Sequence, residues 1–270
     1  MLEIKKIEST EQLSELKQQY FAQSTAPLDG MWHFGFVPMA DHFGFYEQDK
    51  LVGFCCINGD GYLLQFYLNP NSQALASDLF TLIVEQNSSV IGKVSGAFVS
   101  TAEPQYLSLC LDNYKNFHVN GLMYQQMTTV AEEQSHPLAM TLATTEQLSA
   151  FVEFAVSNIG APEQWITGYY TNLINRQELF GYWDGKQLVA AGECRLFDEY
   201  QTDNADLGMI VAQSERGKGV ATRVLKFLVK LAKQKGLRPI CSTEKGNIGA
   251  QKAITRAGLS ASNRIIQFES

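Results

Sequence analysis

Leu207-Gly208-Met209-Ile210-Val211-Ala212-Gln213-Ser214-Glu215-Arg216-Gly217-Lys218-Gly219-Val220-Ala221 is the stretch on which the fold turns. It reads as a short apolar strand, a turn, and a glycine-rich loop opening straight into a helix. The helix is periodic: Val220, Ala221, Val224, Leu225, Phe227, Leu228, Leu231 and Ala232 recur at the spacing of one helical face, and Gly236 supplies a stop. The first N–H groups of such a helix lack intrahelical partners and sit at the positive end of its dipole. Gly217 and Gly219 have no side chains to hold an anion away from those amides, and Arg216 and Lys218 add positive charge. This is the chemistry of a pyrophosphate cradle. A P-loop would need G-x-x-x-x-G-K-[ST], which is absent. The dinucleotide fingerprint needs three glycines near the first strand of a βαβ unit, and this late loop does not match it. The bland alternative, a turn softened by glycine, leaves the two basic residues without a role.

Around this stretch the second half of the chain reads as helix, antiparallel strands, helix, strand, helix, strand. Thr145 to Val156 is an amphipathic helix with Thr144 or Thr145 as N-cap. Leu179 to Trp183 and Leu188 to Leu196 flank a hairpin turn at Asp184-Gly185. Ala205 to Val211, Arg238 to Ser242 and Ile265 to Phe268 are strands, and Gly249 to Ala257 is a helix stopped by Gly258.

The chain also repeats itself. Ser9-Thr10-Glu11-Gln12-Leu13-Ser14 recurs as Thr144-Thr145-Glu146-Gln147-Leu148-Ser149, and Asp49-Lys50-Leu51-Val52 answers Lys186-Gln187-Leu188-Val189. Ser100-Thr101 and the run to Phe117 match Ser242-Thr243 and the run to Leu259, with Tyr124-Gln125 over Ile266-Gln267. Matches in the same order predict a duplicated domain, 1–135 and 136–270, with the boundary near His136-Pro137. The two copies differ at the loop. Its counterpart, Leu68-Asn69-Pro70-Asn71-Ser72-Gln73-Ala74-Leu75, has no glycine and no base, and its proline removes an amide donor. The first copy is expected to be degenerate and the second to do the work.

Composition agrees. The 270 residues are 45% hydrophobic and 18% charged, enough apolar material for sizeable cores and a length near two domains at roughly 150 residues each. The formal charge of −7 excludes a whole-chain basic footprint for nucleic acid. All seven arginines (Arg176, Arg195, Arg216, Arg223, Arg238, Arg256 and Arg264) fall in the second half, and arginine binds phosphate oxygens in a planar fork. No run approaches the roughly 18 apolar residues of a membrane span, and Met1 to Thr10 lacks a signal-peptide core. Cys55, Cys56, Cys110, Cys194 and Cys241 have no CxxC spacing, so neither a disulfide scaffold nor zinc is expected, and a reducing cytoplasm fits. His33, His42, His118 and His136 show no ligand spacing, and no metal is expected.

Arg216-Gly217-Lys218-Gly219-Val220-Ala221 resembles the R/Q-x-x-G-x-G/A acyl-coenzyme-A loop of the GNAT N-acyltransferase superfamily. Asn247-Ile248-Gly249-Ala250, continuing to Ala257-Gly258-Leu259, is similar to that family's N-x-x-[SA]…G-[FL] motif on the following helix. The clear resemblance spans roughly 179 to 268, and the duplication extends it to the first half. It implies an α/β (α+β) fold of two tandem GNAT-like domains, each a mixed, mainly antiparallel twisted sheet flanked by helices. It implies acetyl-CoA as co-substrate, and direct attack on its thioester by a primary amine of a small molecule or peptide. The pantetheine arm would lie along Met209, Ile210 and Val211 and meet Asn247. Pyrophosphate would meet Arg216, Gly217, Lys218, Gly219, Val220 and Ala221. A non-catalytic acyl-coenzyme-A-binding regulatory module is the alternative.

The chemistry needs a base, an oxyanion donor and an acid for the leaving thiolate. Asp206, at the start of the strand expected to splay, is the first base candidate, and Glu193 on the neighbouring strand is the second. Tyr169 and Tyr170 match the variable region that walls the acceptor site, or else pack in the core. Where many family members carry a proton-donating tyrosine, this chain has Ile254. Ser242, Thr243 or a water is left to serve as the acid.

Overall fold

Residues 2–126 and 138–270 are described by the structure, a computed structural model. They form two units, Met1–Leu122 with Asn263–Ser270, and Met123–Ser262. The boundary expected near His136-Pro137 lies outside the described residues. Residues 263–270, expected within 136–270, cluster with the first unit.

The first unit contains β1 (Leu2–Ile7), α1 (Ser14–Ala22), β2 (Asp41–Glu47), β3 (Lys50–Ile57), β4 (Tyr62–Leu68), α2 (Ala76–Val84), β5 (Gly96–Ser100), α3 (Pro104–Asn113) and most of β6 (Asn116–Gln125). β1 to β4 form an antiparallel meander. The β2–β3 hairpin turns on Gln48 and Asp49, both with positive φ (49° and 63°), the twist that a two-residue hairpin loop requires. β3 and β4 are buried at nearly every position, as strands covered on both faces are. Phe45, Phe66, Phe80 and Tyr106 lie in the main core. β4 runs parallel to β5, with ladder pairs Tyr62↔Gly96 and Leu63↔Ala97.

The second unit contains β7 (Thr141–Leu142), α4 (Leu148–Ile159), α5 (Glu163–Asn175), β8 (Leu179–Asp184), β9 (Gln187–Leu196), β10 (Asn204–Val211), α6 (Val220–Gln234), β11 (Arg238–Glu244) and α7 (Ile248–Arg256). β7 to β10 are antiparallel, and β10 then pairs parallel with β11. Thr144 and Gln147 close a reciprocal capping box ahead of α4, and Ser9 plays the same part ahead of α1, accepting from the N–H of Glu11. α6 buries Val220, Val224, Leu225, Leu228 and Ala232 of the face expected from its period, leaves Ala221, Phe227 and Leu231 half-buried, and buries Val229 as well. α5 is the helix that sequence patterning did not resolve; Tyr169 and Tyr170 lie within it.

The last strand, β12 (Ser260–Glu269), places residues 265–269 antiparallel to β5, from Ile265↔Ser100 to Glu269↔Gly96. The first unit's sheet order is therefore β1-β2-β3-β4-β5-β12-β6. Ile266 and Phe268 join that unit's core.

Candidate active site

The cleft begins where β10 and β11 part. Their parallel ladder holds Asn204↔Arg238, Ala205↔Pro239 and Asp206↔Ile240, while β10 stays paired with β9 from Ala205 to Val211. The N–H of Ala212 reaches the carbonyl of Val189 beyond β9's end of the ladder. Backbone groups alternate sides along a strand, so those of Leu207, Met209 and Val211 face the edge from which β11 has diverged. Arg216 Nε donating to the Val211 carbonyl at 3.3 Å confirms that parity. Ile210 and Val211 bury their side chains, and the Ile210 backbone faces β9, so the cleft meets backbone at Met209 and Val211 and the half-buried Met209 side chain.

The loop after β10 is shaped for exposed amides. Gly217 and Gly219 have φ of 79° and 78°, a region costly to L-residues, and a Cβ at either would meet nothing within 4 Å. Glycine is needed here for conformation rather than for clearance. The first helical bond of α6 runs from Arg223 N–H to Gly219, and no side chain caps this end. The N–H groups of Val220, Ala221 and Thr222 are thus left to an external acceptor. Val220 offers only its amide, since its side chain is buried in the core.

The two basic side chains have local partners. Arg216 Nη2 donates to the Asn158 carbonyl at 2.9 Å, and Asn158 Oδ1 accepts from the Gln213 N–H at 2.9 Å, so α4 holds the loop at two points. Lys218 pairs with Glu215 at 2.9 Å. Asn247 caps α7 through its side-chain oxygen, which accepts from Ala250 N–H at 3.1 Å and leaves the amide nitrogen to donate. Ile254 is buried and apolar.

Asp206 and Glu193 belong to one buried cluster. In the β9–β10 ladder Asp206 lies opposite Arg195 and Gly208 opposite Glu193, all on one face. Arg195 donates from Nε (2.9 Å) and Nη2 to Asp206 Oδ2, and from Nη1 to Glu193 Oε2. The Tyr169 hydroxyl donates to Glu193 Oε2 at 2.8 Å and accepts from Arg195 Nη1 at 2.8 Å. Trp165 stacks on the Tyr169 ring, centroids 4.9 Å apart. Gly208 makes room: a Cβ there would fall 2.9 Å from Arg195 Nη1 and 3.0 Å from Glu193 Oε2. Burial works against the Arg195 charge, but the facing Asp206, Tyr169 and Glu193 outweigh it and raise its pKa. Burial, then the Glu193 charge, keeps Tyr169 protonated.

Asp206 is 1% exposed, and its ion-paired carboxylate offers no open approach for an amine. Glu193, 6% exposed, is joined to the half-buried Tyr169. Tyr170 does not wall a cleft; it is fully buried against Phe151. Patterning missed Arg195, although Glu193-Cys194-Arg195 places two charges two residues apart in an otherwise apolar strand, which is the signature of a buried ion pair. Asn158 left no such signal.

The first unit's loop is closed to anions by the protein itself. Glu47 accepts from Ser72 Oγ (2.6 Å), Ala74 N–H (2.9 Å) and Gln73 N–H (3.1 Å), just before α2. Those bonds, the hydroxyl's first, lower the Glu47 pKa.

Two family profiles match the chain. Residues 9–127 match one described as an acetyltransferase (GNAT) domain, and residues 144–259 one described as the acetyltransferase (GNAT) family. An acetyltransferase of the GNAT family from Colwellia psychrerythraea is 62% identical over 99% of each chain, with a TM-score of 0.93. A tandem GNAT protein from the clavulanic acid biosynthesis pathway is similar over 100% of this chain and 98% of its own, at 11% identity and a TM-score of 0.66. A GCN5-related N-acetyltransferase from Sphaerobacter thermophilus, covering 98% and 94%, has 13% identity and a TM-score of 0.65. At those identities the last two share the fold alone. No curated protein sequence matches the chain.

Proposed function

The chain belongs to the GNAT acetyltransferase family, and from that premise we propose that its second unit transfers an acetyl group from acetyl-CoA to a primary amine of a small molecule or peptide. The observation that carries this reading is the parting of β10 from β11 beside a loop with unpaired amides. The residues present fit the co-substrate: backbone at Met209 and Val211 for the pantetheine arm, the Asn247 amide nitrogen as a donor to it, and the amides from Gly217 to Ala221, with Lys218, Gly219 and Val220 between, for the phosphates, the Arg216 amide being taken by the Gln213 carbonyl. The thioester supplies the acyl group. The amine nitrogen bonds to its carbonyl carbon, the C–S bond breaks with its electron pair leaving on the coenzyme-A sulfur as a thiolate, and one amine proton must leave.

The base role expected first for Asp206 passes to Glu193. Asp206 is committed to Arg195 and positions that guanidinium. Glu193 reaches outward through the Tyr169 hydroxyl, which passes its own proton to the carboxylate as it receives one from the amine. Such positioned proton transfer is worth about 10²–10⁴-fold. The five cysteines, all free and buried, suit a reducing compartment such as the cytoplasm.

Thiol release from acetyl-CoA, followed across a panel of primary amines, tests the reading. Turnover is expected with at least one amine, and Glu193→Gln should lower kcat on the scale above while acetyl-CoA affinity holds. Ile254, where the family often has tyrosine, favours the second reading, a non-catalytic acyl-CoA-binding module. Tight binding without thiol release against the whole panel would select it.

A further inference from the structure

The first unit carries the same parting of strands as the second. Tyr62↔Gly96 and Leu63↔Ala97 repeat Asn204↔Arg238 and Ala205↔Pro239, displaced by 142 residues, and β4 then leaves β5 as β10 leaves β11. Beside β4 in the first unit lies a cavity of about 50 Å³ lined by residues of α1, β4 and α3. With about 10–15 Å³ of such volume per water molecule, it takes a polar head and a few carbons, not a pantetheine arm. Glu47 already holds the amides that a phosphate would need.

Its chemistry is also reversed. Glu103, 9% exposed, lines the cavity, with Tyr20 donating to one carboxyl oxygen and the Ser100 N–H to the other at 2.8 Å. Among the described residues no basic side chain pairs with it. A buried carboxylate without a cation is costly, and the cavity that Glu103 lines has aromatic walls. Tyr20, Phe66, Tyr67 and Tyr106 form those walls. The Tyr67 and Tyr106 hydroxyls are engaged elsewhere, by Gln19 and the Leu63 carbonyl, so the rings meet the cavity as π surface. Carboxylate plus aromatic faces is the combination that attracts an organic cation. The exposed Gln105 and half-buried Gln23 stand at the rim.

We propose that the first unit holds a binding site for a small alkylammonium ion, seated on Glu103 between Tyr20, Phe66, Tyr67 and Tyr106. The site is independent of acyl transfer in the second unit. Burial raises the Glu103 pKa to about 7, so the free site is neutral in mild acid and anionic above neutrality. The other ionisable groups around it are Tyr20, Tyr106, Cys56 and Cys110, and burial pushes all four upward, so they stay neutral in this range; the Lys17 charge on α1 acts on Cys56.

The test is calorimetric titration of the full chain with n-butylammonium chloride, without acyl donor, and with butan-1-ol as the uncharged isostere. An affinity rising about tenfold from pH 6 to pH 8 is expected, as a carboxyl titrating near 7 goes from about a tenth to about nine-tenths ionised. Glu103→Gln should remove this equivalent of binding, or weaken it at least tenfold at pH 8, and Tyr20→Phe should keep the pH dependence. Binding by the second unit as an acceptor would persist in Glu103→Gln, so the decisive reading is the loss of one equivalent. Equal binding of butan-1-ol, an unchanged isotherm in Glu103→Gln, or no binding to the wild-type chain would overturn the proposal. If Glu103→Gln does not fold, a flat wild-type profile between pH 6 and 8 overturns it alone.

Discussion

Arg195 stands directly opposite Asp206 in the β9–β10 ladder and gives two N–H groups to one oxygen of its carboxylate. A single guanidinium thereby compensates two buried acids, since its third contact is Glu193.

Removing that guanidinium should be costly. Arg195→Met strands both carboxylates away from water, and breaking a buried pair from one side typically costs about 3–5 kcal/mol. Urea unfolding should show a loss of that size. Arg195→Lys, which keeps the charge but not the planar fork, should fall between. A loss in Arg195→Met within about 1 kcal/mol of wild type would mean that the cluster is less buried than described.

Tyr169→Phe isolates the hydroxyl. The ring keeps its stack on Trp165 while Glu193 loses a donor. A hydrogen bond to a charged group is worth about 1.5–3 kcal/mol, so kcat should drop by about 10- to 100-fold if the hydroxyl carries the proton. Acetyl-CoA affinity should not change. A rise in KM for the amine with kcat intact would assign Tyr169 to acceptor binding instead.

Gly219→Val tests the loop. At φ of 78° a β-branched residue is strained by about 1–2 kcal/mol. The strain and the added side chain together should weaken acetyl-CoA binding well over tenfold, with one site per chain in the wild type. Calorimetry giving two equivalent sites, or an unaltered affinity in the variant, would falsify the assignment of the donor to the second unit.

Glu103 links stability to pH. Its folded pKa of about 7 lies above the ordinary carboxyl value of 4.5, so between these the folded chain holds a proton that the unfolded chain has lost. The stability it contributes is full below pH 4.5 and is lost as pH rises through 7, on the order of 3 kcal/mol. The difference in unfolding free energy between wild type and Glu103→Gln should shrink by that order from pH 4.5 to 8. A constant difference would place Glu103 in a far more polar setting.

Much of this protein was legible in its sequence. The period of Val220 to Ala232, the capping residue Thr144, the glycines at 217 and 219 and the 9–14/144–149 repeat are local signals, and local backbone preferences and side-chain spacing are enough to read them. They determined the tandem α/β architecture and the amide-bearing loop. The tertiary structure alone decided the rest, because it depends on residues far apart in the chain meeting at set distances. Where β11 leaves β10 depends on strand twist and packing and not on composition. Asp206 looked free to act as a base until the ladder put Arg195 across from it. Residues 263–270 carry nothing in their own pattern that assigns them to β5, which lies more than 160 positions earlier. Glu47 in the first loop and Glu103 in the first cavity are single acids in unremarked sequence. Their roles come from desolvation and from donors that other segments bring to them.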